Sequence, residues 1–187
     1  DAKKSAKASV WVNRAKVYAD ALMEPTKALS TSLDATFLNY TMGTPTETVT
    51  DEQNRQIWVY PWVKVYVENN RVASWSKERD IKEGLFEVIS EAANKALELD
   101  PKTEAKVKPV LDLTINYYSQ LGEVSTFIPD YKVAIDAFVK AAKLQESKIY
   151  TQVDPKYYFF AGQMAAFLGA DNKQYFVDGE KYLDKAR

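Results

Sequence analysis

The hydrophobic positions of this chain repeat every three to four residues over most of its length. The most regular stretch lies between Asp80 and Leu99, where one apolar stripe is formed by Ile81, Leu85, Val88, Ile89, Ala92, Ala96 and Leu99. That spacing is typical of one face of an α-helix. The same period predicts further helices at about 5–23, 25–39, 102–121, 130–144, 155–168 and 176–186, so we expect a mostly helical protein.

Residues at about 42–79 interrupt the helical period. The stretch from Met42 to Gln53 is rich in Gly, Pro and Thr, above all at Gly43–Thr50, and it predicts a loop. The stretch Ile57–Val67 is rich in Val, Trp and Tyr, and its last valines alternate with other residue types. Such composition and alternation are typical of a β-strand.

Two asparagines, Asn69 and Asn70, follow this predicted strand. Asparagine tolerates the left-handed backbone of a tight turn, so Arg71–Trp75 is predicted to return as a partner strand. In that hairpin Glu68 would face Arg71, and Lys64 would face Trp75. An irregular, aromatic-rich loop is the alternative interpretation of the insertion.

The tripeptide Asp-Pro-Lys occurs twice, at 100–102 and at 154–156. A residue before proline is disfavoured in a helix, whereas proline itself suits the first turn of one. Each copy therefore predicts the end of one helix and the start of the next. Asp130 is predicted to cap the helix that follows it, and Gly122 to end the helix before it. These breaks indicate stacked pairs of helices.

The residues within these pairs resemble the tetratricopeptide repeat (TPR). The segment Tyr118-Ser-Gln-Leu-Gly122 is similar to the end of a TPR helix A. The segment Tyr131–Ala141 is similar to helix B, with matches to the small and aromatic positions of the family at Ala134, Phe138 and Ala141. Weaker matches occur elsewhere, at Trp11, Ala15, Tyr18, Ala93, Ala96, Pro101, Gly162, Leu168, Gly169, Gly179, Leu183 and Ala186. Irregular units of this kind also resemble those of exported Bacteroidetes proteins.

The resemblance implies an all-α fold, a TPR-like α–α superhelix of about three helix pairs. Residues 1–187 would form a single domain, with the hairpin or irregular insertion at about 42–79 inside the first unit; a fragment of a longer array is the alternative. Neighbouring pairs would share one core, because a single pair cannot bury its apolar side alone. The family also implies a concave groove, whose lining residues here would be Val12, Lys16, Asp20, Asp112, Asn116, Gln120, Phe159 and Gln163. The alternative is that these side chains are merely solvated.

The amino-acid composition excludes several kinds of catalytic and ligand-binding site. The chain has 0 His and 0 Cys, which removes Ser-His-Asp triads, thiol nucleophiles and the usual zinc ligands. With 25 basic and 26 acidic residues, the net charge of -1 gives no reason to expect nucleic acid. The carboxylates at 51–52 and 78–80 lie beside predicted helix starts, where capping explains them better than glycosidase chemistry. We therefore expect no catalytic residue, no metal and no cofactor.

The insertion carries the most distinctive surface candidate of the chain. Its aromatic patch comprises Trp58, Tyr60, Trp62, Tyr66 and Trp75. The structural interpretation is that this patch packs against helices. The functional interpretation is that exposed aromatic rings stack on sugars or anchor a partner chain.

The leading prediction is a non-enzymatic scaffold that binds a peptide or partner protein of unknown identity in a concave helical groove. The alternatives are a carbohydrate-binding or uptake accessory protein that uses the aromatic patch, and a structural spacer in a larger assembly. No apolar run is long enough to span a membrane. Because the chain begins with Asp1 rather than Met, a removed signal peptide and a periplasmic or exported location are expected, with a cytoplasmic one as the alternative.

Overall fold

A computed structural model describes residues Lys7–Arg187. The chain is 59% helical, and a four-stranded antiparallel sheet lies in the middle of the sequence. The predicted all-α fold class is therefore wrong, and the protein is mixed α/β. The error lies in the insertion, where the sequence predicted at most one hairpin and the structure contains two further strands.

The elements have well-defined bounds. The helices are α1 (Ala8–Met23), α2 (Thr36–Thr41), α3 (Leu85–Leu99), α4 (Glu104–Phe127), α5 (Tyr131–Gln145), α6 (Pro155–Gly169) and α7 (Gln174–Lys185). The strands are β1 (Glu47–Thr50), β2 (Gln56–Val59), β3 (Val63–Glu68) and β4 (Arg71–Lys77), and a short 3₁₀ turn spans Pro101–Thr103.

The chain divides into two compact units. One, the helical unit, comprises, among the described residues, Lys7–Asp20 and Gly84–Arg187. The other, the sheet unit, comprises Ala21–Glu83. Each unit has buried side chains of its own, with Leu111, Ala134 and Phe138 in the first and Leu38, Val65 and Trp75 in the second.

The sheet has the strand order β1-β2-β3-β4, and each neighbour is antiparallel. The predicted hairpin is confirmed as β3 and β4, and Glu68 faces Arg71 as expected. Both turn asparagines are left-handed, with φ of 49° at Asn69 and 59° at Asn70. The predicted partner of Lys64 is wrong by one residue, because an irregularity after Tyr66 shifts the register.

The predicted loop at 43–53 and the single long strand after it are both wrong. The Thr- and Val-containing segment Glu47–Thr50 pairs with β2, although all four of its residues are exposed. The long strand is divided at Pro61, where the Tyr60 N–H donates to the Val63 carbonyl at 2.9 Å and reverses the chain. Proline fixes its own φ and suits the start of a tight turn, which accounts for the division.

The predicted helix at 25–39 is replaced by turns and the short helix α2. The residues before α2 instead pair their backbone with β4. The Ser32 N–H donates to the Val72 carbonyl at 2.7 Å, the Val72 N–H to the Leu33 carbonyl at 2.8 Å, and the Ala35 N–H to the Asn70 carbonyl at 2.9 Å. These bonds cover the outer edge of strand β4, which would otherwise expose unpaired backbone groups. The need to cover that edge comes from the tertiary structure, so it could not be predicted from the local helical periodicity.

Helix α4 continues through Gly122 to Phe127, so the predicted end at Gly122 and the loop after it are wrong. Gly122 does not end the helix; it allows α4 and α5 to pack closely. A Cβ built on Gly122 would lie 2.7 Å from the ring of Phe138 on α5, closer than packed carbon atoms approach. Helices α6 and α7 use the same device, since a Cβ on Gly162 would lie 2.7 Å from the Leu183 side chain.

Both Asp-Pro-Lys tripeptides open a helical segment at their proline, as predicted, but only the first directly follows the end of a helix, because α5 already ends at Gln145. The Asp100 carboxylate accepts from the Lys102 N–H, and the Asp154 carboxylate accepts from the Lys156 N–H, each at 3.0 Å. Asp130 likewise accepts from the N–H three residues on at 3.3 Å. Each side chain satisfies a backbone donor that the first turn of the helix leaves free.

Candidate functional site

An exposed stripe runs along α4. Its members recur at helical spacing and face solvent: Pro109, Leu113, Asn116, Gln120, Glu123 and Phe127. The two predicted groove residues Asn116 and Gln120 lie at its centre, and their side-chain amides make no hydrogen bond within the described chain. Leu113 is 48% exposed and Phe127 is 68% exposed. The stripe therefore offers free amides between exposed apolar groups.

Helix α6 carries a second exposed stripe. The predicted residues Phe159 and Gln163 both belong to it, and Phe167 continues it. The Gln163 amide also has no partner within residues 7–187. Phe167 stacks on Tyr131 of α5 with ring centroids 5.1 Å apart, so one of its faces is fixed against the helical unit.

Helix α5 packs on both α4 and α6. The contacts of Phe138 with Gly122 and with Phe160 place this side chain between the two helices. Because α5 is antiparallel to both neighbours, α4 and α6 run in the same direction. The two exposed stripes therefore run in the same direction within the helical unit.

Asp112, another predicted groove residue, is engaged inside the helical unit. Its carboxylate accepts from the Tyr150 hydroxyl at 2.7 Å and from the Lys108 ammonium at 2.8 Å. Burial alone would raise the pKa of Asp112. The hydrogen bonds from Lys108 and Tyr150, together with the positive charge of Lys108, outweigh burial and hold the pKa of Asp112 below its ordinary value. Burial and the bond to Asp112 together raise the pKa of the Tyr150 phenol. This carboxylate ties the α5–α6 connection to α4.

A similar arrangement lies nearby. The Tyr158 hydroxyl donates to the Glu146 carboxylate at 2.7 Å, and the Lys185 ammonium donates to that hydroxyl at 3.3 Å. Burial raises the pKa of the Tyr158 phenol, and its bond to Glu146 raises it further. Both tyrosines stay protonated near neutral pH, and we interpret both networks as braces between helices.

The predicted groove residues of α1 differ in exposure. Val12 is buried, at 8% exposure, whereas Lys16 and Asp20 are exposed. The remaining buried positions of α1 are Ala15, Ala19 and Leu22.

The aromatic patch of the sheet unit is split by burial. Trp75 and Tyr60 are buried, at 2% and 4% exposure, so they belong to the core of the sheet unit. Trp58, Trp62 and Tyr66 are half-buried. Guanidinium groups lie over the rings of the last two, with Arg79 at 4.5 Å from the Trp62 centroid and Arg55 at 5.2 Å from that of Tyr66.

Two clefts were not foreseen from the sequence. One, of about 480 Å³, lies among α3, α4 and the end of α5 and is lined by Ser90, Ala93, Asn94, Leu97, Glu98, Leu111, Lys143, Leu144, Glu146, Ser147 and Lys148. The buried Ser147 hydroxyl in its wall has no partner within the described chain. The other, of about 280 Å³, lies in the sheet unit beside Trp62. Clefts of this kind join residues that are distant in sequence, so periodicity gives no signal for them.

Within residues 7–187, no group of three or more acidic side chains is placed to hold a metal ion. In the same range, none of the helices combines the length and the apolar character needed to cross a bilayer.

Comparison of the chain with protein-family models, with curated proteins and with solved structures gives no match.

Proposed function

We propose that the protein is a non-enzymatic binding module that recognises a peptide or partner protein through the exposed stripes of α4 and α6. The supporting observation is that Asn116, Gln120 and Gln163 are exposed and that their amides form no hydrogen bond with any residue of the described range 7–187. Amide side chains both donate and accept, so they can bond to the main chain of a bound peptide. Their neighbours Leu113 and Phe159 supply apolar contact area.

The mixture of groups on these stripes favours protein over other ligands. Exposed large apolar side chains on a helical surface are typical of protein contacts, and aromatic residues dominate the energy of such contacts. Phe159 is 43% exposed and Phe167 is 59% exposed. The resemblance to the tetratricopeptide repeat agrees with this proposal and stays a prediction.

A random peptide library selected on the protein tests the proposal without knowledge of the natural partner. We expect an enriched motif whose synthetic peptide binds in the micromolar range, about -8 kcal/mol. The triple variant Asn116→Ala, Gln120→Ala and Gln163→Ala should weaken that peptide by about tenfold or more, since unpaired peptide groups cost affinity. Calorimetry measures both affinities.

The matched control replaces exposed amides that belong to neither of these helices. Asn39→Ala with Gln152→Ala should leave the affinity within about twofold, because surface substitutions outside a contact have small effects. The proposal would be contradicted if the triple variant and the control lost peptide affinity equally, or if selection enriched no peptide motif.

A further inference from the structure

The cleft beside Trp62 lies in the sheet unit and shares no residue with the surface proposed above. Its walls are formed by Glu24, Pro25, Lys27, Ala28, Thr41, Met42, Tyr60, Pro61, Trp62, Val63 and Ile81, and its volume is about 280 Å³. We call it the Trp62 cleft. Two prolines give it rigid walls, and Met42 and Ile81 add apolar surface. Its size suits a single ring or a short stretch of peptide.

The Trp62 side chain is held in place before any ligand arrives. It lies in the tight turn between β2 and β3, and its carbonyl accepts from the Glu78 N–H at 2.9 Å. The Arg79 guanidinium lies 4.5 Å from the ring centroid, and the Arg79 Nε donates to the Pro61 carbonyl at 3.2 Å. A ring fixed in this way loses little conformational entropy on binding.

The Trp62 side chain supplies a hydrogen-bond donor that remains free in the cleft. The Trp62 indole N–H donates to no acceptor within the described chain. The Tyr60 hydroxyl also has no partner there, but this atom is buried and does not face a ligand. By contrast, Glu24 and Lys27 pair with each other at 2.6 Å, and the Thr41 hydroxyl donates to a main-chain carbonyl at 3.0 Å.

A site with a free donor and apolar walls selects a ligand that accepts hydrogen bonds and presents rings. Proline residues have carbonyl acceptors but no N–H, and a polyproline II segment forms no internal hydrogen bonds. Aromatic-lined grooves are a common way to bind such segments. We propose that the Trp62 cleft binds a proline-rich segment of a partner protein in the polyproline II conformation, with a pyrrolidine ring against Trp62 and a ligand carbonyl accepting from its indole N–H.

A sugar ring is the competing ligand, because it also stacks on tryptophan. A sugar carries many hydroxyl groups, each of which donates as well as accepts. The Glu24 carboxylate, which lines the cleft, is engaged by the Lys27 ammonium through one of its two oxygens. The free indole N–H only donates, so it matches the main chain of a proline-rich segment, which only accepts, whereas each sugar hydroxyl brings a proton that needs a further acceptor.

Titration with capped decaproline tests the proposal, with indole fluorescence and calorimetry as readouts. We expect saturable binding that Trp62→Ala weakens by about tenfold or more and Trp62→Phe weakens less, as for an aromatic anchor. Trp58→Phe is the matched control on the same sheet, outside the cleft, and should change the affinity by less than about twofold. A capped Gly-Ser peptide of equal length should not bind.

The Tyr60→Phe variant separates ligand binding from folding. Removing a buried hydroxyl that has no partner should not lower the free energy of unfolding, because no bond is lost. Because this hydroxyl is buried out of reach of a ligand, decaproline binding should stay within about twofold of that of the wild type, so weaker binding by the Trp62 variants reports lost ligand contacts and not a disturbed cleft wall.

Several results would overturn the proposal. They are the absence of decaproline binding at millimolar peptide, equal binding by wild type and both Trp62 variants, and saturable binding of cellohexaose or maltohexaose in place of decaproline. The triple amide variant of the helical unit should bind decaproline as the wild type does, so this proposal and the proposed function can fail independently.

Discussion

The α4–α5 pair and the β3–β4 hairpin are both antiparallel pairs of consecutive elements, but they are held together differently. The helices approach closely because Gly122 leaves room for the Phe138 ring. The strands are set by the turn, whose two asparagines adopt the left-handed conformation. The strand pair therefore depends on residues at its own turn, whereas the helix pair depends on one residue of each helix fitting the other.

Removing the Phe138 ring should break the helix pair most severely. The ring is 2% exposed and lies between α4 and α6, so Phe138→Ala leaves a large cavity. We expect the free energy of unfolding of the helical unit to fall by about 3–5 kcal/mol. Urea unfolding followed by far-ultraviolet circular dichroism measures it. Phe127→Ala, at a position that is 68% exposed, is the control and should cost less than about 1 kcal/mol.

A substitution at Gly122 that fills the space beside it tests the contact between Gly122 and Phe138 at its other residue. Alanine is the better helix former by about 1 kcal/mol. Gly122→Ala should nevertheless destabilise by about 1–3 kcal/mol, because its Cβ meets the buried Phe138 ring. Adding Phe138→Leu should recover part of the loss. A stabilised Gly122→Ala protein would show that the helices separate without cost.

The stability of the β3–β4 turn should depend on whether residue 69 can adopt the left-handed backbone conformation. Asn69 has φ of 49°, which a residue with a Cβ adopts at a cost unless its side chain compensates. Asn69→Ala should therefore destabilise the sheet unit by about 1–2 kcal/mol, whereas Asn69→Gly should be neutral within about 0.5 kcal/mol. Thermal unfolding of both variants compares them. Equal losses would indicate that the amide, and not the backbone, matters.

The smallest expected effect concerns the brace at Asp112. Tyr150→Phe removes its 2.7 Å hydrogen bond and should cost about 1 kcal/mol near neutral pH. The folded-state pKa of Asp112 is lowered, so its stabilisation is present above the unfolded pKa of about 3.9 and is lost as pH falls through the folded pKa.

The stability difference between wild type and Tyr150→Phe should therefore shrink as the pH is lowered from about 5 to about 2. Urea midpoints across that range measure the difference. A difference that stays constant would mean that the hydroxyl does not act through the Asp112 carboxylate.

The sequence predicted those features whose cause is local. The cap at Asp130, the helical starts at Pro101 and Pro155, the asparagine turn and the pairing of Glu68 with Arg71 all depend on adjacent residues. Helix α3 was predicted four to five residues too long at its start, because the apolar stripe continues to Ile81 while the helix begins after the left-handed Gly84.

Features whose cause is distant were missed. Gly122 looks like a helix end until Phe138 is known to need its space. The segment around Ser32 has helical periodicity but supplies backbone bonds to β4. For the candidate site, the exposure of Asn116 was predictable from its place on α4, but the engagement of Asp112 by Tyr150 was not, because Tyr150 lies beyond the following helix.

The proposed binding surface can be tested most directly by nuclear magnetic resonance of the side-chain amides. The central claim is that the amides of Asn116, Gln120 and Gln163 contact the bound peptide, while Asp112 and Phe138 only support them. On titration of isotope-labelled protein with a library-selected peptide, these three side-chain NH₂ signals should shift together and saturate with one affinity. Saturable binding that leaves all three unmoved would contradict the account.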